Sequence, residues 1–494
     1  MAANGNKYDI LQNIRANAYK RQKRREKRQL KKRVQPKKKN VRTGLPVPRN
    51  FKRSIGYTLN TSNRILSKED FNQKKGFYID KYLPTNLKYL LNTKTSPFFL
   101  ETIKNEKHKS NGIVKIPKLF SIIEDPTNGY LTLKKVVSAL LVENIKSLEL
   151  NYEACEKVEL GSQILLDIIL MDYFKFVNFC NKVDRNHKDY FPTVVRGRNI
   201  DNEDVQKIIN SVGSPVTLKV RELEYSDVIP YKLCAHDNEK EKDLDKRIEQ
   251  KELDTTELAD YVVDSLKRMN KELVWDKIDD LCTVIGEILI NAEEHSSTKY
   301  RFSIGYFKEE SFDNKHFGIF RLVILNFGKT IYEKFKDENC PNKEIVKRME
   351  MLSKSYTRRS LFSQKEFEEE NLWTLYALQD GVTSISPTES KRGNGSIRFI
   401  ESFFNLKGSL QADDVSNMTI LSGNTSIIFN GKYSIVTKTN SKNENFKVMT
   451  FNDSGDIEDI PDKNCVSQKE TYFPGTLISV KILLNDDDII QIKN

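Results

Sequence analysis

The 494-residue sequence predicts a mixed α/β protein of the α+β kind, with a basic N-terminal tail and two folded modules behind it. Three observations predict this class. Positive charge is concentrated in residues 1–53. Strand-like and helix-like segments alternate from about residue 56 onward, and a run of charged residues near 240 divides them in two.

Residues 1–53 hold 19 Lys and Arg against only Asp9 and Glu26, which is a charge of +17. The whole chain carries +12, so the remainder is about −5 and electrostatics is local to the tail. The tail, taken as residues 1–55, reads RANAYKRQKRREKRQLKKRVQPKKKNVRTG and has few apolar side chains to bury. Such a segment is disordered or a lone solvated helix. Clustered Lys and Arg displace counterions from nucleic acid without reading its sequence, which makes the 1–53 tail a candidate nucleic-acid arm. An anionic membrane, an acidic partner or a plain solubilising or targeting role suits the same composition. No apolar stretch follows the tail as a secretory signal would require. The longest apolar run, ILLDIILMDYF from Ile164, is interrupted by Asp167 and is too short to span a bilayer. Six cysteines (155, 180, 234, 282, 340 and 465) lie scattered with no C-x-x-C pair, the pattern of reduced thiols in a cytoplasmic protein. Cys234 and His236 have no second pair of ligands nearby and read as a surface turn, not a metal site.

Residues 56–235 read as a small layered module. GIVKIP (112–117) and SLELNY (147–152) are short strands, and VTLKV (216–220) is expected to be another. Helical spacing runs through KKVVSALLVENI (134–145) and GSQILLDIILMDYFKFVNFC (161–180), the second apolar almost all round and therefore buried. DVQKIINSVG (204–213) is a helix ended by Gly213. In its hydrophobic pattern, SLELNYEACEKVELGSQILLDIIL resembles the STAS domains, small α/β modules of bacterial partner-switching regulators. The resemblance implies a protein partner bound through 56–235. Phosphorylatable members place a serine after an aspartate at the helix start. Here the loop reads Glu159-Leu160-Gly161-Ser162, which favours a structural or partner-binding role over a phosphoswitch.

HDNEKEKDLDKRIEQKELDTT is a charged connector, assigned to 236–255, and TELADYVVDSLKRMN (256–270) opens the second module, 256–494, as an amphipathic helix. Leading into GEILINAEEHSS (286–297), residues 275–292 place Ile278, Leu281, Cys282, Ile285, Ile288, Leu289 and Ala292 in one helical stripe. Glu287 and Asn291, four apart, stack on one face with Glu294 three further on. An Asn oxygen can complete a magnesium shell while a Glu one turn away deprotonates a water. The same residues also suit the wet side of an amphipathic helix.

Three downstream stretches change that balance. The strands KYRFSIGYF (299–307) and FGIFRLVIL (317–325) are followed at once by Asn326-Phe327-Gly328-Lys329, a turn that lets backbone approach a ligand. KRGNGSIRFIESFF (391–404) places Gly393-Asn394-Gly395 just before a helix starting near Ser396, where exposed N–H groups favour phosphate. Finally, SGNTSIIFNGKYSIV (422–436) and PGTLISVKILL (474–484) read as strands extending the same sheet.

This order of E-x-x-x-N helix, hairpin, strand–glycine turn, helical lid and glycine-rich helix start resembles the GHKL superfamily of ATP-binding domains. That superfamily is shared by DNA gyrase, mismatch-repair ATPases, histidine kinases and anti-sigma serine kinases. EILINAEEH is similar to the N-box, LVILNFGKTI to the first glycine box and RGNGSIRF to the second, with NAxxH most like the anti-sigma kinases. The resemblance covers roughly 256–484 and implies a two-layer α/β sandwich binding ATP and Mg2+. It implies Glu287 as general base, Asn291 as magnesium ligand, and His295 beside the phosphates. Asn326, Gly328, Gly393, Asn394, Gly395 and Ser396 would line the nucleotide. Lys391 and Arg392, basic residues just before a helix, are candidate phosphate contacts by their chemistry and equally suit an exposed surface. The first box departs from the family, with Asn326 where an aspartate usually accepts from the adenine amino group, and Thr330 in place of a second glycine. No phosphoacceptor helix precedes the module, which disfavours a sensor histidine kinase. Residues 332–392 form the lid, with helices over 342–362 and 367–386 in which Trp373, Leu375 and Leu378 pack. The expectation is an ATP-binding regulator acting by Mg2+-dependent hydrolysis or protein phosphotransfer. The alternative is a non-catalytic nucleotide-gated protein whose tail engages nucleic acid. Both allow a homodimer.

Overall fold

The computed structural model describes residues 68–494 apart from 107–108, 184–189, 238–243, 269–270, 274–277, 281, 287–288, 290–296, 299, 313–314, 358–366, 385–395, 398–399, 402, 405–415, 440–442, 485–488 and 492–494. Residues 69–494 form one compact unit. The architecture is mixed α/β, with a parallel sheet followed by a five-stranded antiparallel sheet.

The chain opens with helices α1 (Lys68–Tyr82), α2 (Thr85–Asn92) and α3 (Leu100–Glu106), then strands β1 (Ile113–Lys115) and β2 (Leu119–Phe120). Helix α4 (Pro126–Leu141) starts where Asp125 accepts the Asn128 N–H and Pro126 presets the first turn. Strands β3 (Ser147–Asn151) and β4 (Lys157–Val158) lead to α5 (Leu160–Val183). The Glu159 carboxylate caps α5 by accepting from the N–H groups of Gly161 (2.6 Å) and Ser162 (3.2 Å). Next come β5 (Val194–Arg198), α6 (Glu203–Ser211) and α7 (Ser214–Thr217). Strands β1, β3 and β5 pair in parallel, so helices must carry each return, and α4 and α5 do so. Helix α5 is buried almost all round, as its composition predicts.

The strand expected at 216–220 is absent, and the helical turn α7 takes its place. Valine and threonine favour strands, but Pro215 sits at the start of that turn. The backbone donors of Thr217 and Leu218 go to Gly213 (3.1 Å) and Ser214 (2.9 Å), leaving none for a ladder.

Strand β6 (Val228–Asp237) precedes α8 (Leu244–Arg268), which begins inside the charged segment read as a connector. Then follow β7 (Lys271–Leu273), β8 (Tyr300–Phe312), β9 (Lys315–Phe327), α9 (Ile331–Lys336), α10 (Lys343–Thr357) and α11 (Glu369–Tyr376). The C-terminal part supplies β10 (Asn417–Phe429), the hairpin β11 (Val436–Thr439) and β12 (Asn445–Val448), β13 (Val466–Leu484) and β14 (Ile489–Gln491). The large sheet runs β10-β13-β9-β8-β6, antiparallel throughout, and contains the expected 299–325 hairpin and both later strands.

Both faces of this sheet are buried, because alternate side chains enter different cores. Phe302, Ile304, Val323, Leu325, Phe327 and Leu477 join the core of the N-terminal helices. Phe320, Leu322, Ile324, Ile420, Ile478 and Val480 join a second core with α8, α11, Val284, Ile285 and Leu289. Trp373 is fully buried there, its indole N–H donating to Ser353 Oγ at 3.0 Å, and Leu375 and Leu378 pack beside it. Among the described residues no helix is long and apolar enough to cross a membrane.

Candidate functional site

Of the residues singled out from sequence, Asn326, Gly328 and Ser396 are described. Glu287, Asn291, Glu294, His295, Lys391, Arg392, Gly393, Asn394 and Gly395 lie outside the described residues, as does the basic 1–53 tail. What surrounds them is informative. Residues 278–280, 282–286 and 289 are helical; Ile285 and Leu289 of the apolar stripe are buried in the second core, and Val284, which lay outside the stripe, is buried with them. Residues 396–397, 400–401 and 403–404 are helical as well, with Ile397, Ile400 and Phe403 buried and Ser396 half-buried.

The chain that follows GEILINAEEH is clasped against the strand–glycine turn. The N–H groups of Ser297 (2.9 Å) and Thr298 (3.4 Å) donate to the Phe327 carbonyl, while Lys329 N–H donates to Ser297 Oγ at 3.2 Å. On the other side Gly328 N–H donates to the Pro474 carbonyl at 3.2 Å. Three segments, around residues 297, 328 and 474, therefore meet at one turn. Helix α9 starts immediately after it through a capping box. Thr330 Oγ1 accepts from Glu333 N–H, and the Glu333 carboxylate accepts from Thr330 N–H. This gives Thr330, which stands where a second glycine was looked for, a structural task of its own. Lys329 pairs with Asp337, whose carboxyl is held below its ordinary pKa by that bond first.

Pairing in the large sheet lines up one polar residue from each of its five strands. His236 stands opposite Arg301, Arg301 opposite Asn326, Asn326 opposite Thr476, and Thr476 opposite Ser422. By strand parity Asn326 shares the face of Phe320, Leu322 and Ile324, so the row points into the helix-covered core. At one end Ser422 Oγ accepts from Ile331 N–H (3.0 Å) and meets Thr476 Oγ1 (3.0 Å) and the Gly475 carbonyl (3.2 Å), which ties α9 to β10 and β13. At the other end Arg301 pairs through Nη2 with Asp254 of α8. Asp254 also accepts from Gln250 (2.7 Å) and lies 3.8 Å from His236 Nδ1.

The middle of the row is different. Asn326 is 0% exposed and Arg301 3% exposed. Neither amide atom of Asn326, nor Nε or Nη1 of Arg301, has a hydrogen-bond partner among the described residues. A buried polar group left unpaired costs about 1–3 kcal/mol, so each calls for an explanation, and a ligand at the site is one. Gly475 holds this strand end close to its neighbour. A Cβ there would lie 2.0 Å from the Asn326 carbonyl oxygen and 2.9 Å from Phe327 Cα.

Arg301, Asp254, Thr476, Ser422 and Gly475 were not foreseen as site residues. The one sequence signal was a charged residue inside KYRFSIGYF, a run otherwise able to bury both faces. No protein-family model, curated protein or solved structure matches the chain.

Proposed function

We propose that residues 256–494 hold a magnesium-dependent nucleotide site of the GHKL type, in a regulator that hydrolyses ATP or transfers its phosphoryl group to a protein hydroxyl. The observation that carries this reading is the clasp of Ser297 and Thr298 onto Phe327. It brings the end of the E-x-x-x-N segment to the turn bearing Asn326 and Gly328, as a shared site requires. The unpartnered Asn326 amide at that turn suits a base edge. Magnesium, when bound, would supply charge neutralisation at the phosphates. Asn291 would hold it, and Glu287 would accept the proton of the attacking water or hydroxyl. ATP as the nucleotide comes from the resemblance alone. The parallel β1-β3-β5 sheet, with β3 followed by β4 and then α5, is compatible with the STAS-like reading of the N-terminal module. Ser162 is 0% exposed behind the Glu159 cap, which speaks against a phosphoacceptor there and for partner binding.

Calorimetry and turnover assays with Mg2+ test the proposal. The wild type should bind and turn over nucleotide, Glu287→Gln should bind without turnover, and Asn291→Ala should lose the magnesium-dependent part of binding. Binding without turnover in the wild type supports the non-catalytic alternative. Absence of nucleotide binding refutes the proposal.

A further inference from the structure

Resting on the nucleotide site proposed above but replacing its adenine, which comes from the resemblance alone, we propose that the site selects a purine with a carbonyl at position 6, guanine or hypoxanthine, and that Arg301 sets this preference. Arg301 and Asn326 stand directly opposite each other on β8 and β9, on the same face of the sheet. Cross-strand neighbours of this kind have Cβ atoms about 4.5–5.5 Å apart. Both side chains are more than nine-tenths buried. One offers an unused amide oxygen and amide nitrogen, the other two unused N–H donors, Nε and Nη1. The groups are complementary and adjacent, yet they do not satisfy each other. An edge that both donates and accepts, placed beside the two residues, satisfies them together.

The Asn326 amide does not choose between purines. Its oxygen accepts and its nitrogen donates, which fits the N6-amino and N1 edge of adenine. It fits the N1–H and O6 edge of a 6-oxo purine as well. Arg301 breaks the tie because a guanidinium carries donors only. Beside the adenine amino group it would set N–H against N–H and leave Nε and Nη1 without an acceptor. Beside a 6-carbonyl its spare donors find an oxygen. Asp254 takes only Nη2, which fixes the cation in the core while leaving Nε and Nη1 unused. Sites built to hydrogen-bond a ligand group discriminate strongly against an analogue that lacks it. A good bidentate base contact is worth roughly 10- to 100-fold.

The test is a nucleotide panel on the full wild-type chain with Mg2+, measured by calorimetry with ATP, ITP and GTP. ITP differs from ATP at the 6-position edge and carries no 2-amino group, so it isolates the proposed contact. The expected result is ITP and GTP binding about tenfold or more tighter than ATP. ATP binding as tight as ITP, or tighter, overturns the inference and leaves the nucleotide site standing. Failure of all three nucleotides to bind overturns both. The double variant Arg301→Gln with Asp254→Asn removes the ion pair while keeping two hydrogen-bonding amides. Its preference for ITP over ATP should shrink to within about threefold while ATP still binds. A folded double variant that keeps the full preference overturns the role of Arg301, and the wild-type panel decides the base whether or not that variant folds.

Discussion

Asp167 gives a stability prediction whose size follows from its surroundings. It lies on α5, fully buried, and its carboxylate accepts from Ser214 Oγ (2.5 Å), Gln163 Nε2 (2.7 Å) and Thr217 Oγ1 (3.5 Å). Burial outweighs these bonds and pushes its pKa from 3.8 up to about 7. The folded value is above the unfolded one, so between them the folded state holds a proton that the unfolded state has lost. The stability tied to that proton is fully present below about pH 4, drains as pH rises to about 7, and is constant above. Some three pH units at about 1.4 kcal/mol each make ~4 kcal/mol in all, of which roughly 2–3 kcal/mol falls between pH 5 and pH 8. Asp167→Asn cannot ionise. Gln163 can turn its own amide to meet the new one, since its Oε1 has no other partner among the described residues. Urea unfolding of both proteins at pH 5 and pH 8 measures the difference. The wild type should lose about 2–3 kcal/mol more than the variant across that interval. Glu159, also raised by burial to about 7, contributes equally to both proteins and cancels. Equal losses in wild type and variant would mean that Asp167 is not the titrating group, and the argument fails.

Two further outcomes are expected. Gly475→Ala should destabilise the protein by about 3 kcal/mol or more in denaturant unfolding, because the added methyl meets the Asn326 carbonyl oxygen at 2.0 Å. A loss under about 1 kcal/mol would show that β9 and β13 can separate at that point. Deleting residues 1–53 removes 19 Lys and Arg and should abolish a nucleic-acid affinity that falls steeply with salt. Affinity unchanged by the deletion removes the tail from that role.

The parts of the fold readable from sequence were those governed by local pattern. Helix α5 is apolar on all sides, β8 and β9 are long runs of strand-favouring residues, and the buried face of α11 and the buried pair Ile285 and Leu289 follow helical periodicity. Where a local rule competed with another, reading failed. In VTLKV, β-branched residues suggested a strand, but Pro215 just before it had already committed the chain to a turn. Strand β6 was missed, and its Cys234 and His236 read as a surface turn, because Pro230 interrupts it, which an edge strand tolerates. The candidate site was half legible. Asn326 and Gly328 could be named because they adjoin a strand end. The row His236, Arg301, Asn326, Thr476 and Ser422 could not be, since only Arg301 and Asn326 share a hairpin and the rest join through pairing between strands far apart in sequence. Register of this kind leaves no local trace.

Because both faces of the large sheet are buried, the two halves of the chain cannot be taken apart without injury. Removing everything before residue 256 would delete β6 and strip the N-terminal helices from Phe302, Ile304, Val323, Leu325, Phe327 and Leu477. Leu325 and Phe327, which would then face water, are the immediate neighbours of Asn326. A shortened chain made to isolate the nucleotide module would carry a bare, sticky wall one residue from the part under study. Silence from such a fragment would speak of the cut and not of the site.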